Sequence, residues 1–169
     1  SIEKKKLSFI GSIPKFDLSL LSLFDISSTN QTSTIDIKNL EIGEILFSNF
    51  VFPKTILSSE ISDNYIEIAI KNDNVSGKVY FPRLTNLAPI IDLETINFKF
   101  SETPSSSIFV DIYNNLNQKL IFKTNSLILN SVNYGNWSFN FEPAKSSFTI
   151  KNITGSYGKW GLTHNKEGI

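Results

Sequence analysis

The sequence contains no cysteine and only one histidine, and these two shortages exclude much of enzyme chemistry. Without cysteine there is no disulfide framework, no thiolate nucleophile and no cysteine-based zinc site. His164 lies in the polar stretch THNKEGI, and alone it supplies neither a histidine-dependent catalytic triad nor a multi-histidine metal site. We therefore expect this chain to have no catalytic residue, no metal ion and no cofactor.

Charge is also sparse, because charged residues make up 19% of the chain and the formal net charge is zero. Arg83 is the only arginine, and the only basic run is the EKKK near the N-terminus. A protein that binds nucleic acid usually carries a basic patch or stripe, so we expect no nucleic-acid partner. The sequence also has no glycine-rich loop that could bind a phosphate group.

Methionine is absent as well, even at position 1, and the chain begins inside a patterned stretch, SIEKKKLSFIG. This beginning predicts that the 169 residues are one β-rich segment of a longer protein, either internal or C-terminal. The sequence holds no signal peptide and no apolar run long enough to span a membrane. In a longer protein, a signal peptide or a membrane-spanning segment would lie outside these 169 residues.

What the sequence has in abundance is strict alternation of apolar and polar residues, as in YIEIAIK, TINFKF and NWSFNFEP. A period of two is typical of strands with one buried face. Turn signals such as Asp63-Asn64 and Asn114-Asn115 separate these runs at hairpin spacing. The pattern predicts an all-β chain, folded as an antiparallel meander of about ten or more short strands.

The apolar positions of these runs predict one continuous apolar face, and the fourteen phenylalanines cluster there. Most acidic residues fall on the opposite parity, where a solvated outer face is expected: Asp36, Glu41, Glu67, Asp92, Glu94 and Asp111. The residues predicted to line the apolar face are Phe47, Phe50, Phe52, Ile66, Ile68, Ile70, Val79, Phe81, Ile96, Phe98, Phe100, Val110, Phe122, Leu129, Trp137, Phe139, Phe141, Phe148 and Ile150.

Three segments depart from plain alternation. In PKFDLSLLSLFDI, Leu18, Leu21 and Phe24 are three residues apart and follow Asp17, which predicts a short helix over residues 18–25 with Asp17 near its start. In TIDIKNLEI and ILFSNFVF the apolar parity changes at 38–39 and at 48–49. A bulge or kink at each place would keep the apolar side chains on one face.

A weak internal repeat relates residues 34–82 to residues 120–162. Each copy reads as an apolar strand, a glycine-bearing turn, a Phe-x-Phe strand and a further apolar strand. Each copy therefore resembles a small meander, and repeated meanders can extend a sheet.

Two interpretations of the apolar face follow from the residues alone. It is either the closed core of a β-sandwich, as in a structural or adhesive domain of a surface or phage protein, or a concave face that stays open and holds acyl chains. Both bury apolar surface, worth about 25 cal/mol per Å². Alternation alone therefore does not separate them.

Four phrases of the sequence resemble recurring segments of the AsmA-like, YhdP-type envelope proteins of Gram-negative bacteria. They are LSFIGSIPKFDLSLLSLF, VSGKVYFPRLTNLAPIIDLETINF, IDIKNLEIGEILFSNFVF and NITGSYGKWGL, and the likeness runs from about Leu7 to Leu162. The likeness consists of glycines and apolar residues at matching spacing, together with a tryptophan that ends one strand.

The resemblance implies a part of a long periplasmic protein, anchored in the inner membrane by a segment outside this chain. Its sheet would curl into an elongated open groove, and the predicted lining residues would form the floor of that groove. Phospholipid would be the partner, moving between the inner and outer membranes with its acyl chains on the floor and its headgroups at the open edge. Such a conduit requires no catalytic residue and no cofactor.

Overall fold

A computed structural model describes residues 6–17, 34–47, 50–84, 86–99, 118–144 and 147–164, and within these residues all regular structure is β. The helix predicted over residues 18–25 lies outside the described residues. The strands are β1 (Lys6–Phe9), β2 (Ser12–Asp17), β3 (Thr34–Ile37), β4 (Leu40–Phe47), β5 (Phe50–Phe52), β6 (Thr55–Ile61), β7 (Tyr65–Lys71), β8 (Val75–Pro82), β9 (Ile90–Phe98), β10 (Leu120–Thr124), β11 (Leu127–Leu129), β12 (Val132–Asn133), β13 (Trp137–Pro143), β14 (Phe148–Tyr157) and β15 (Trp160–His164).

Thirteen of the described strands form one sheet, which is not closed into a barrel. Its main path runs β15-β14-β13-β10-β9-β8-β7-β6-β4-β2, with β5 paired to β4, and β11 paired to β9 and β12. The other two strands, β1 and β3, pair with each other as a separate parallel ribbon. This ribbon contacts the main sheet where the Ile37 amide donates to Ser59 Oγ at 2.7 Å.

The sheet is mixed, so the prediction of a purely antiparallel meander was wrong. β2 runs parallel to β4, and β9 runs parallel to both β10 and β11. Parallel neighbours need a crossover of a dozen or more residues. The chain supplies one between β2 and β4 and another between β9 and β10, over residues 99–119.

Around these crossovers the strands fall into two similar groups. In the first, β4, β6, β7 and β8 are successive antiparallel neighbours, and β2 lies parallel to β4. In the second, β10, β13, β14 and β15 are successive antiparallel neighbours, and β9 lies parallel to β10. The repeats suggested by the sequence, 34–82 and 120–162, overlap these two antiparallel runs, which span residues 40–82 and 120–164.

The strand registers place every predicted lining residue of β7, β8, β10 and β13 on the same face of the sheet. Ile66, Ile68 and Ile70 pair with Phe81, Val79 and Gly77. Val79 pairs with Ile91, Ile91 pairs with Phe122, and Phe122 pairs with Phe139. Phe141, two residues after Phe139, pairs with Ile150. Directly paired residues share a face. We call this face the apolar face and the opposite one the polar face.

Two irregularities keep long strands on the apolar face despite a change of parity. In β9, Leu93 pairs with Gly77 and Thr95 pairs with Ser76, which leaves Glu94 as an extra residue. In β14, Asn152 has a φ of +53° at the place where the register with β13 shifts. Extra residues of this kind are β-bulges, and each one reverses the parity of the residues that follow.

The two parity changes noted at 38–39 and 48–49 have different structural origins. Asn39 has a φ of +49° and lies between β3 of the two-stranded ribbon and β4 of the main sheet, so this parity change falls between strands of different sheets. Residues 48–49 lie outside the described part. However, Phe47 pairs with Phe50 and Ile45 pairs with Phe52, so ILFSNFVF forms two antiparallel strands rather than one strand with a slip.

Five of the six buried apolar side chains of the described residues lie on the apolar face by register, and Ile45 has the opposite parity to Ile42 in β4. Leu93 and Leu120 occupy the apolar face through their pairing with Gly77 and Phe141. The buried apolar side chains are therefore spread over several strands of the sheet instead of being concentrated at one point. The buried apolar residues are Ile42, Ile45, Leu93, Ile96, Leu120 and Phe141.

Candidate functional site

The apolar face is the candidate functional site, and most of the predicted lining residues lie on it. By register these are Ile66, Ile68, Ile70, Val79, Phe81, Ile96, Phe98, Phe122, Leu129, Trp137, Phe139, Phe141, Phe148 and Ile150. Register does not assign Phe52 to this face, because it pairs with Ile45, but its ring meets that of Phe98 edge-on with centroids 5.8 Å apart. Phe47 and Phe50 pair through their backbones. Phe100 and Val110 lie outside the described residues.

Stacked aromatic rings connect neighbouring strands across this face. Phe122 of β10 stacks on Phe139 of β13 with centroids 4.8 Å apart. Phe141 of β13 stacks on Phe148 with centroids 5.4 Å apart. Such aromatic pairs add roughly 0.5–1.5 kcal/mol beyond simple area burial. The rings therefore stabilise the strand order as well as making the face apolar.

Sequence reasoning missed several residues of the face, for an identifiable reason. Leu57 and Ile61 lie on the apolar face because they pair with Ile70 and Ile66. Leu127 lies on it because it pairs with Ile96. Ile91 and Leu93 have the opposite parity to Ile96 and Phe98 because Glu94 bulges between them. Ile153 is likewise out of phase with Ile150 because of the bulge at Asn152. The parity changes themselves, visible in PIIDLETINF and FTIKNITG, were the available signal.

The polar face carries the charges of the central strands, and they form ion pairs across the ladder. Lys78 Nζ lies 2.7 Å from Glu67 Oε1, and Lys151 Nζ lies 2.9 Å from Glu142 Oε2. The hydrogen bond with Glu67 raises the pKa of Lys78 above its usual value. The hydrogen bond with Lys151 lowers the pKa of Glu142 below its usual value.

No charged side chain lies on the apolar face in the described parts of β6 to β14. Glu60, Glu67, Lys71 and Lys78 have the opposite parity to the lining residues of their strands. The same holds for Asp92, Lys123, Glu142 and Lys151. Glu94 sits in the bulge of β9 and is exposed. The charged side chains of these seven neighbouring strands therefore do not lie on the apolar face.

In the part of the chain that the structure describes, Thr55 and Thr124 are the fully buried polar residues, and both have hydrogen-bond partners. Thr55 Oγ1 donates to the Pro53 carbonyl at 2.7 Å and accepts from Asn72 Nδ2 at 2.9 Å. Thr124 Oγ1 donates to the Ser126 carbonyl at 3.3 Å. Because these hydroxyls are satisfied by nearby loops, they add polar atoms to the buried layer without the cost of an unpaired group.

The lining side chains in the middle of the face remain partly exposed. Ile68, Val79, Phe122 and Phe139 are all half-buried, although each lies in a central strand of the sheet. Exposure increases toward β14, where Ile150 is 41% exposed. The face is therefore covered unevenly, because these half-buried side chains share it with buried ones such as Leu93 and Phe141.

The described residues hold neither a metal-binding cluster nor a membrane-spanning helix. They contain no group of three or more His, Cys, Asp or Glu side chains arranged to hold a metal ion. His164 lies at the end of β15. None of the described segments forms a helix long and apolar enough to cross a membrane.

The chain was compared with known protein families, with curated proteins and with solved structures. No family model, no curated protein and no solved structure matches it.

Proposed function

We propose that this chain is a lipid-conduit module whose apolar face holds phospholipid acyl chains in an elongated open groove. The observation that carries the proposal is the charge separation of the sheet. Uncharged and mostly apolar side chains occupy one face from β6 to β14, and the ion pairs occupy the other. A charged group placed among acyl chains costs several kcal/mol unless it is paired, so a floor without charges lets a chain move along it.

The dimensions of the face suit this role. Strands β6, β7, β8, β9, β10, β13 and β14 are consecutive neighbours. At roughly 4.8 Å between neighbours, their apolar floor is about 30 Å wide across the strands. This is about the thickness of the hydrocarbon core of a bilayer, to which two opposed acyl chains contribute. A single acyl chain would therefore lie within the described floor.

Partial exposure favours this role over a closed β-sandwich. In a sandwich, inward-facing residues of central strands meet a second sheet and become buried. Here Ile68 and Val79, in the central strands β7 and β8, are only half-buried. Such exposure is expected where the remaining cover is lipid rather than protein.

Contact between distant strands supports a curved sheet. Phe52 belongs to β5, which lies in line with β6 on the same side of β4, and Phe98 belongs to β9, which is three positions from β6 in the strand order. In a flat sheet these strands would be about 14 Å apart, whereas the two ring centroids are 5.8 Å apart. A sheet that curls toward its apolar face brings such rings together, and a groove requires that curvature.

The proposed setting comes from the resemblance to AsmA-like, YhdP-type proteins. On this proposal the module works in the periplasm as part of a longer chain anchored in the inner membrane. It passes phospholipid between the inner and outer membranes, with headgroups at the open edge of the groove. Transfer needs no bond to be made or broken.

Lipid extraction tests the proposal directly. The protein is purified without detergent, and bound phospholipid is measured by mass spectrometry. Ile150→Asp places a carboxylate on the apolar face at a partly exposed position, and we expect bound lipid to fall at least tenfold while the protein still melts cooperatively. Thr154→Asp places the same group on the polar face of the same strand, and we expect its lipid content to match that of the wild type.

A third variant separates the conduit from a closed core. Phe141 is only 8% exposed, so Phe141→Asp puts a charge into the buried layer and should abolish cooperative melting. The proposal fails if the wild type carries no phospholipid after detergent-free purification. It also fails if Ile150→Asp unfolds the protein as fully as Phe141→Asp does, because a closed sandwich would respond in that way.

A further inference from the structure

Among the described strands, β15 forms one edge of the main sheet, and no described strand lies on its outer side. It pairs with β14 along Trp160–His164, and all five of its residues are exposed. Trp160 is 80% exposed and Leu162 is 50% exposed. An edge strand presents a row of unpaired backbone groups and is therefore a template for a further strand.

Hydrogen-bond geometry identifies which backbone groups of β15 point outward. Hydrogen-bonded and non-hydrogen-bonded pairs alternate along an antiparallel ladder. The Ser156 amide donates to the Asn136 carbonyl of the loop before β13 at 3.0 Å, so it points away from β15. Ser156 pairs with Gly161, which makes this pair non-hydrogen-bonded and turns the Gly161 amide and carbonyl toward the open edge. Thr163, two residues further along, has the same orientation.

The hairpin that presents this edge is well defined. Tyr157 and Trp160 pair across a connection of two residues, Gly158 and Lys159. Gly158 has a φ of +58°, which suits the first central position of a type II′ turn. This turn matches the natural twist of an antiparallel pair, so it holds β15 in line with the sheet and keeps its outer backbone groups extended.

The two edges of the main sheet differ in their protection against strand pairing. Proline and lysine are common protective residues on edge strands. β2, at one edge, contains Pro14 and Lys15, and both are exposed. β15 contains neither residue type and has no acidic residue. In the first group of strands, β8 occupies the position that β15 has in the second, and β9 pairs with β8 there.

We propose that the β15 edge pairs antiparallel with β15 of a second copy of this chain, about a twofold axis at Leu162. In this register Gly161 of each copy faces Thr163 of the other, and both residues direct their backbone groups toward the partner. Four backbone hydrogen bonds would form. Leu162 would face its symmetry mate in a non-hydrogen-bonded pair, where side chains approach most closely. The apolar faces of the two copies would become one continuous face.

Several features favour a second β15 over β2 of another copy. A contact between β15 and β2 would be heterologous and would build open filaments, and β2 carries Pro14 and Lys15. The strand Trp160-Gly161-Leu162-Thr163 places no like charges opposite each other across the twofold axis. Since only two short strands meet, the interface is smaller than that of a permanent dimer, and we expect association that depends on concentration. The proposal does not rest on lipid binding, and in a longer chain it requires that no following strand pairs with the outer side of β15.

Sedimentation velocity over a range of protein concentrations tests the dimer. We expect a reversible monomer–dimer equilibrium in the wild type. Thr163→Pro removes the outward amide of residue 163 without removing a bond to β14, and it should abolish the dimer at concentrations where the wild type is half associated. Thr163→Val retains the amide and is the matched control, with wild-type association expected. Leu162→Lys places two cations opposite each other and should weaken association at least tenfold.

Amide hydrogen exchange provides a readout that remains available if the proline variant does not fold. Protection of the Gly161 and Thr163 amides should rise with protein concentration, whereas the Leu162 amide, which faces β14, should be protected at every concentration. A protein that stays monomeric at the highest concentration would overturn the proposal. So would a dimer that Thr163→Pro and Leu162→Lys leave intact, or filaments that grow without a limiting size.

Discussion

The indole of Trp137 lies directly over Gly155 across the β13–β14 ladder. A Cβ atom built on Gly155 would fall 2.6 Å from Cε3 of the indole. The ring is also fixed by its Nε1–H, which donates to the Tyr134 carbonyl at 2.9 Å. The absence of a side chain at residue 155 therefore sets where the largest aromatic residue of β13 lies on the apolar face.

Gly155→Ala is expected to destabilise the protein, because the added methyl group overlaps a ring that a hydrogen bond holds in place. Overpacking of this kind typically costs about 1–3 kcal/mol. Urea unfolding, followed by tryptophan fluorescence, measures the change in the free energy of unfolding. Gly161→Ala is the matched control, because a Cβ at Gly161 meets no atom within 4 Å. Equal effects of the two substitutions would contradict the proposed overlap.

Asn152 is expected to tolerate glycine but not a β-branched residue. Its φ of +53° lies in the left-handed region, which asparagine and glycine occupy more easily than other residues. Asn152→Val should lower the free energy of unfolding by about 1–2 kcal/mol, and Asn152→Gly should change it by less than about 0.5 kcal/mol. Chemical denaturation of both variants checks this difference. If valine were tolerated as well as glycine, the bulge would not be located at this residue.

Asn152 also shows why the apolar face could be predicted in part only. In β7 and β13 the alternation is unbroken, and the sequence was sufficient to assign Ile68 and Phe139 to one face. In β14 and β9 one extra residue reverses the parity, so Ile153 and Leu93 looked like members of the opposite face. A bulge depends on the register with the neighbouring strand, and a single strand's pattern does not contain that register.

The direction of strand pairing was not accessible from local pattern at all. β9 and β10 alternate as antiparallel strands do, yet Phe122 pairs with Ile91 in a parallel ladder. What determines direction is the path of the chain between them, over residues 99–119. Side-chain periodicity is the same in both kinds of ladder, so the period of two predicted the fold class but not the mixed topology.

Thr55 is expected to contribute more to stability than its size suggests. It is 0% exposed, and its hydroxyl links the Pro53 carbonyl to the Asn72 side chain. Thr55→Val leaves both partners without this hydroxyl in a place that water reaches poorly, and we expect a loss of about 1–3 kcal/mol. Thr149→Val makes the same change at an exposed position of β14 and serves as the control. Similar losses at the two positions in urea unfolding would argue against a buried polar link.

The carboxyl of Glu142 is expected to titrate at a lower pH than an ordinary glutamate. Lys151 Nζ lies 2.9 Å from Glu142 Oε2, and this hydrogen bond is the main cause of the lowered pKa, with a further contribution from Lys119 at 3.4 Å. Carbon-detected NMR of the side-chain carboxyl measures the pKa directly. Lys151→Met should move it upward toward the ordinary value, whereas Lys123→Met, on the same face but outside this ion pair, should leave it unchanged.

The same ion pair predicts how stability depends on pH. The pKa of Glu142 is lower in the folded protein than in the unfolded chain. The ion pair therefore contributes fully to the free energy of unfolding at a pH above the pKa that Glu142 has in the unfolded chain. This contribution is lost as the pH falls through the pKa that Glu142 has in the folded protein. The difference in melting temperature between the wild type and Lys151→Met should therefore be visible at neutral pH and should disappear in acid. It should also shrink at high salt, because this pair lies near the surface. A difference that persisted after Glu142 had become protonated would show that Lys151 stabilises the sheet through packing rather than through charge.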